Sequence, residues 1–188
     1  PYTADQIRDI LSARSEEAFK RGTVPVDVID YIADVTASPP VNGDVRYALD
    51  LVEYAGNLAD NMGFEAVKLD HVRRVHGEVY HQITSQDIVD LPDPEKVVLL
   101  AVTRALRTRR SAYVSFEDIR KECAAASEDL GVKLENVDYA VQDLGDRGII
   151  DIRSLVRIGI RDIPTEELIR YLDNLLERVR SGLGEHEG

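Results

Sequence analysis

The sequence predicts a mainly α-helical protein whose second half is a winged-helix domain with a small β-hairpin. Apolar residues recur at helical spacing through most of the 188 residues. Residues 149–152 are instead mostly apolar, and in residues 156–161 Val, Ile and Ile alternate with Arg, Gly and Arg at a period of two, which is typical of a hairpin. The order helix, short strand, helix, helix, hairpin is that of the winged-helix variant of the helix-turn-helix fold.

Composition and charge limit the classes of protein to consider. The chain has 23 Lys and Arg against 35 Asp and Glu, a net charge of −12, and 44% hydrophobic residues, which is a globular composition. Its longest apolar run, residues 97–102, is far shorter than the roughly 20 residues of a membrane span, and no secretory signal begins the chain. Cys123 is the single cysteine and cannot form an internal disulfide. We therefore expect a cytoplasmic protein with no membrane partner.

Residues 1–83 predict a compact domain of four helices. Thr3 and Gln6 have the spacing of a capping box, in which two side chains bond the exposed amides at a helix start. Gly22 is expected to end this first helix, and a Ser-Pro-Pro sequence ends the second. The four helices are predicted at residues 3–22, 26–36, 44–59 and 69–81.

Residues 94–181 predict the winged-helix domain. Pro94 suits the first position of a helix, and the apolar run that follows predicts that this helix is buried on all sides. Residues 113–114 are a candidate short strand, and further helices are predicted from Ser115, from Val137 and over residues 165–180. The remaining segments are an acidic, proline-containing linker at residues 84–93 and a flexible tail at residues 182–188.

Three histidines at residues 71, 76 and 81 suggest a metal site, but their spacing argues against one. Residues five apart on a helix are rotated by about 140°, so the three imidazoles cannot meet at one ion. We therefore predict no metal and expect ordinary, partly exposed histidines. The sequence also lacks a nucleophile elbow and a phosphate-binding glycine-rich loop. This chain alone is therefore not expected to be an enzyme.

Arg46 is the strongest candidate for binding an anion. It falls in the first turn of the third helix, where the helix dipole disfavours a cation by about 0.3 kcal/mol or more. Asp50, four residues later, is a candidate partner in the weaker orientation, with the cation on the N-terminal side. A guanidinium and a helix N-terminus can together bind phosphate oxygens. Arg46 is thus either an anion-binding residue or a surface arginine in an exposed ion pair.

DNA binding by so acidic a chain requires a local basic patch. Residues 104–121 carry six cations against Glu117 and Asp118, a local excess of about four positive charges. These cations are Arg104, Arg107, Arg109, Arg110, Arg120 and Lys121. They either meet backbone phosphates or belong to a solvated loop.

The third helix of a winged helix usually enters a DNA groove, but here it is acidic. Carboxylates at residues 135, 138, 143 and 146 outnumber the cations and repel phosphate. The groove contacts that remain are Lys133, Asn136, Tyr139 and Gln142. The hairpin turn is short, which leaves Arg153 and Arg157 as its candidates for DNA contact. We therefore expect weak sequence recognition.

Two stretches of the chain carry a family resemblance. They are residues 1–7, Pro-Tyr-Thr-Ala-Asp-Gln-Ile, with Ile10, Leu11 and Arg14, and residues 43–51, Gly-Asp-Val-Arg-Tyr-Ala-Leu-Asp-Leu. Followed by a winged helix, they resemble the C-terminal two thirds of the archaeal origin-recognition and cell-division-control (Orc/Cdc) replication initiators. The resemblance covers nearly the whole chain.

The resemblance implies an AAA+ initiator in which the first domain is the helical lid and the second binds DNA. Arg46 would match the sensor-2 arginine that reaches the γ-phosphate, and Tyr2 and Arg14 the lid residues that border the nucleotide. The ATPase core, with ATP or ADP and Mg²⁺, would precede Pro1, so this chain alone should bind ATP negligibly. The implied partners are duplex DNA at a replication origin, the replicative helicase and other initiator subunits, in association with the nucleoid.

Two other functions stay open. A transcription regulator would use the first four helices to bind a ligand or to dimerise. A protein-interaction module would dock a partner such as the helicase through its acidic winged helix and bind little DNA. The salt dependence of DNA affinity separates a protein-interaction module from a DNA-binding protein, because each phosphate contact contributes about −0.9 to the slope of log K against log salt concentration.

Overall fold

The computed structural model of the chain describes residues 1–80 and 83–184. These residues are mainly helical and contain a two-stranded antiparallel hairpin, as predicted. The chain divides into two compact units, Pro1–His81 and Gln82–Gly188. Within the part of the chain described, no helix combines the length and apolarity that crossing a bilayer requires.

The first unit contains the helices α1 (Ala4–Ala18), α2 (Val26–Ala37), α3 (Val45–Asn61) and α4 (Leu69–Val79). Helix α2 packs against the other three helices, and Tyr31 and Ile32 at its centre are buried. The predicted capping box is confirmed, because Gln6 N–H donates to the Thr3 hydroxyl and the Gln6 side chain accepts from Thr3 N–H.

Helix α1 ends four residues before the predicted stop at Gly22. Phe19 leaves the helix in an extended conformation. Its ring packs against α3 at Gly56, where a Cβ atom would lie 2.8 Å from the ring. Packing of an aromatic side chain thus ends the helix earlier than the glycine would. The fourth helix is predicted to end at His81, and that residue lies outside the described residues.

The second unit is built around α6 (Asp93–Arg109). The other elements of this unit are α5 (Ser85–Val89), α7 (Phe116–Leu130), α8 (Val137–Asp146), β1 (Asp151–Ser154), β2 (Arg157–Gly159) and α9 (Thr165–Gly184). Helix α6 contacts α7, α8 and α9, and its residues 97–102 are buried all round, as predicted. Strands β1 and β2 pair with Ile152 opposite Ile158. The candidate strand at residues 113–114 is a single bridge between Val114 and Ile158.

The structure differs from the predicted linker at residues 84–93. This segment forms α5, whose start is capped by Thr84 and Asp87, and it buries Ile88 and Leu91 in the core of the second unit. The acidic residue that suggested a solvated linker is instead used in the cap. At the other end of the unit, α9 continues to Gly184, and residues 185–188 of the predicted tail lie outside the described residues.

Candidate functional site

The start of α3 and the segment before α1 lie side by side. Tyr2 N–H donates to the carbonyl of Gly43 at 3.0 Å. Gly43 has a φ of +83°, and a Cβ atom there would lie 2.5 Å from the Tyr2 carbonyl oxygen. Only glycine allows this close approach. Asp44 then caps α3 by accepting a hydrogen bond of 2.9 Å from Arg46 N–H.

Arg46 projects into solvent from the first turn of α3. Its side chain pairs with no carboxylate among residues 1–80 and 83–184, and this includes the candidate partner Asp50. The Asp44 carboxylate already bonds the Arg46 amide, so the guanidinium of Arg46, together with the helix dipole, is what attracts an anion here. This end of α3 is therefore suited to binding a phosphate group.

The two other predicted nucleotide contacts lie at different places. The Tyr2 side chain is 47% exposed and lies at the same end of the first unit as Arg46. Arg14 is exposed and pairs with Glu17 at 3.4 Å. The rise of a helix places Arg14 about 16 Å along α1 from Thr3. The structure therefore brings Tyr2 close to the start of α3, whereas Arg14 lies about three turns along α1.

His71 and His76 are buried, which corrects the expectation of partly exposed side chains for these two residues. His71 Nδ1 accepts a hydrogen bond from Lys68 N–H at 2.9 Å, and its ring packs edge-on against Phe64. Burial lowers the pKa of His71, so it is neutral near pH 7. The described residues contain no His, Cys, Asp or Glu cluster that could hold a metal ion. His81 lies outside them.

His76 forms a contact that the sequence did not indicate. Its Nδ1 and the hydroxyl of Tyr47 are 2.6 Å apart and share a hydrogen bond. The two residues lie 29 positions apart, on α4 and α3. No local pattern of spacing marks such a pair, since it forms only when the two helices pack.

The basic patch of the second unit is largely neutralised. Five of its six cations pair with carboxylates, several of which come from α8 and α9 rather than from residues 104–121. These pairs are Arg104 with Asp129 and Asp173, Arg107 with Glu166, Arg109 with Asp118, Arg120 with Asp138, and Lys121 with Glu117. Arg110 is exposed and has no ion pair within the described part of the chain. The local excess of positive charge expected from the sequence is therefore lost on folding.

The candidate groove contacts of α8 are partly engaged. Asn136 caps the helix by accepting from Tyr139 N–H at 2.9 Å, and Gln142 donates to Asp146 at 2.8 Å. Tyr139 is exposed, and Lys133 is exposed without an ion pair among the residues described. Lys133 is therefore the cation near this helix that a phosphate can approach without breaking an ion pair.

Both hairpin arginines lie against one aromatic ring. The guanidinium of Arg157 is 4.5 Å from the ring centre of Tyr113, and that of Arg153 is 5.5 Å from it. Arg153 also pairs with Asp151 at 2.9 Å. The structure thus brings these two predicted DNA contacts together in a stacked arrangement.

The turn of the hairpin is apolar. Leu155 and Val156 at the turn are 73% and 69% exposed. The Leu155 carbonyl accepts from Phe116 N–H at 2.7 Å, which holds the turn against the start of α7. The tip of the wing therefore presents two aliphatic side chains rather than cations.

Comparisons of this sequence with known proteins all indicate the same protein family. Residues 8–77 match the Cdc6 AAA+ ATPase-type lid domain. An ORC1-type DNA replication protein 1 from Aeropyrum pernix is 34% identical over 160 residues, which are 84% of this chain and 40% of the relative. The corresponding protein of Sulfurisphaera tokodaii is 31% identical over 159 residues, 84% of this chain and 39% of the relative. The chain thus spans about 40% of the length of these relatives.

A solved structure agrees with these matches. Cdc6p from Pyrobaculum aerophilum superposes with a TM-score of 0.76 and 27% sequence identity, over 95% of this chain and 49% of that protein. The lid match, the sequence relatives and the shared fold together show that this chain belongs to the ORC1/Cdc6 family of archaeal DNA replication initiators.

Proposed function

We propose that this chain is the C-terminal part of an ATP-dependent initiator, in which α1–α4 form a four-helix lid and the second unit is a winged helix that binds origin DNA. In the whole protein it would help to load the replicative helicase. One observation carries the nucleotide part of this proposal: Arg46 is exposed and unpaired in the described residues, at a helix N-terminus within the segment that matches the lid family. A phosphate there would gain both the guanidinium and the helix dipole.

The side chains of Arg46, Tyr2 and Arg14 have the chemistry needed to contact a nucleotide. Arg46 would contact the terminal phosphate, and the exposed ring of Tyr2 would pack on the base, since an aromatic face stacks on purines. Arg14 would border the nucleotide after exchanging its 3.4 Å ion pair with Glu17. Bound ATP with Mg²⁺ would supply the phosphoryl group for hydrolysis, and the ligands of the metal would come from an ATPase core.

Replacement of Arg46 in the full-length protein tests the nucleotide role. We expect Arg46→Ala to lower ATP turnover by about a hundredfold, because removing one preorganised group that stabilises developing charge costs about 2.7–4 kcal/mol. Arg74→Ala is the matched control: Arg74 is also exposed, on α4, and its contact with Glu78 is 4.0 Å long. Turnover that Arg46→Ala leaves unchanged would remove the assignment.

DNA binding is proposed to rest mainly on contacts with backbone phosphates. Arg110 and Lys133 have no ion pair in the described residues, so they would meet phosphate without breaking one. Arg107 and Arg109 would exchange their carboxylate partners for phosphates. The candidate contacts with the DNA bases should bind more weakly. Asn136 and Gln142 already form hydrogen bonds within α8, and the hairpin arginines lie on Tyr113.

Salt dependence tests this assignment. We expect the affinity of the chain for duplex DNA to fall with salt, and Arg110→Ala and Lys133→Ala each to reduce the slope of log K against log salt by about 0.9. Arg178→Ala, an exposed arginine on α9, is the control and should leave the slope unchanged. Variants at Arg110 and Lys133 that behave like the control would show that neither side chain meets phosphate.

A second function, docking of a protein, is favoured by the surface of α8 and the hairpin. Leu155 and Val156 at the hairpin turn and Tyr139 on α8 are exposed apolar side chains, and α8 carries three carboxylates. Such a surface suits a helicase or initiator subunit better than a phosphate backbone. A salt-independent affinity for DNA, with binding to the helicase lost in Leu155→Ser, would favour this function.

A further inference from the structure

Tyr47 connects the first turn of α3 to α4. It follows Arg46 in the chain, but its side chain turns inward while Arg46 faces solvent. The hydroxyl of Tyr47 is 2.6 Å from Nδ1 of His76, and His76 is only 3% exposed. A hydrogen bond between such a buried group and a helix start restricts the motion of both.

Aromatic packing supports this connection. The rings of Tyr47 and Tyr80 meet edge to face with centres 5.3 Å apart, and those of His76 and Tyr80 are 5.4 Å apart. Burial raises the pKa of Tyr47 well above its usual value of 10.0, so its hydroxyl stays protonated at physiological pH. The three rings form one cluster at the C-terminal end of α4.

The first turn of α3 is thereby fixed on both sides of Arg46. On the N-terminal side, Asp44 accepts the Arg46 amide, and Gly43 contacts Tyr2. On the C-terminal side, the Tyr47 cluster holds the same turn against α4. The backbone from which the guanidinium extends is therefore preorganised, although the side chain itself is exposed.

We propose that Tyr47 and His76 are positioning residues for Arg46, which hold the first turn of α3 against α4 so that the guanidinium meets a phosphate in a defined orientation. The proposal rests on the phosphate-binding role of Arg46 given above. Small displacements of a charged group at a reacting phosphate reduce the rate strongly, whereas they affect ground-state binding less.

The variant Tyr47→Phe in the full-length protein tests this proposal, because it removes only the hydroxyl. We expect kcat for ATP hydrolysis to fall tenfold or more while KM for ATP changes less than threefold. Tyr54→Phe is the matched control: Tyr54 lies two turns further along α3 and is 59% exposed. A fall in kcat smaller than tenfold, or an equal fall in the control, would overturn the proposal.

Two further variants separate positioning from stability and from failure of the proposed function. Val72→Ala removes buried packing from α4 while it leaves the hydroxyl of Tyr47 and the imidazole of His76 in place, so it should lower Tm and leave kcat unchanged. In the Arg46→Ala background, Tyr47→Phe should have no further effect, because it acts through the missing guanidinium. Additive effects, or a matching loss of kcat in Val72→Ala, contradict positioning. If Arg46→Ala alone leaves turnover unchanged, the phosphate role itself fails.

Discussion

Asp44 and Arg46 have opposite effects on the stability of α3. The carboxylate of Asp44 accepts a hydrogen bond from Arg46 N–H and lies near the positive end of the helix dipole, which stabilises the helix by about 1 kcal/mol. The guanidinium of Arg46 near the same end costs about 0.3–1 kcal/mol and gains no ion pair in the described residues. In the proposed function, a bound phosphate would offset this cost.

A first prediction at the scale of single residues concerns Gly43. Gly43→Ala should destabilise the first unit by about 2–5 kcal/mol, because the new methyl group meets the Tyr2 carbonyl and alanine disfavours a positive φ. Gly63 also has a positive φ, +79°, but an added Cβ atom would contact nothing within 4 Å. Gly63→Ala should therefore cost about 1–2 kcal/mol. Amide hydrogen exchange in α1–α4 measures the loss of stability in each variant. Equal losses in Gly43→Ala and Gly63→Ala would contradict the close approach at Gly43.

At the scale of elements, helix starts follow local chemistry. Ser115 and Asp118 form a capping box at the start of α7, at the predicted position. The same chemistry at Thr84 and Asp87 starts α5, in a segment that composition alone suggested was a linker. Composition failed there because two apolar residues, Ile88 and Leu91, decide whether such a short segment packs.

The packing of α5 gives a second prediction. Ile88 is 4% exposed, whereas its neighbour Val89 is 38% exposed. Ile88→Ala should lower the free energy of unfolding of the second unit by about 2–4 kcal/mol, and Val89→Ala by about 0.5 kcal/mol or less. Hydrogen exchange in α6–α9 provides the measurement. A linker would tolerate both changes equally, so similar small losses would refute the packing of α5.

At the scale of the whole molecule, the net charge of −12 is distributed so that most cations face carboxylates. The chain also matches only about 40% of the length of these relatives, and the candidate phosphate contacts lie at one exposed helix end. Exposed contacts of this kind bind weakly by themselves, since solvent screens them. Nucleotide affinity should therefore depend on groups from an ATPase core.

The isolated chain provides the corresponding prediction. Titration calorimetry with ATP and Mg²⁺ should detect no saturable binding at micromolar concentrations, because one guanidinium and one aromatic ring cannot offset the loss of translational freedom of the ligand. Full-length protein is the positive control. A dissociation constant in the micromolar range for the isolated chain would show that the lid forms a nucleotide site without a core.

The sequence by itself predicted the four helices of the first unit, the starts of α1 and α7, the hairpin and the exposed position of Arg46, because these depend on interactions between residues at most four apart or on a simple alternation. It did not determine the ends set by packing, such as Phe19 against Gly56, or the burial of α5. Family resemblance, rather than spacing, linked Tyr2 and Arg14 to a nucleotide.

Only the tertiary structure decided which charges and polar groups are available. Arg107 pairs with Glu166, 59 residues away, and Arg104 with Asp173, 69 residues away. The bond between Tyr47 and His76 likewise joins separate helices. A count of charges along the chain cannot include such partners, because electrostatic and hydrogen-bond energies depend on distance in space, and that distance is set only when the helices pack.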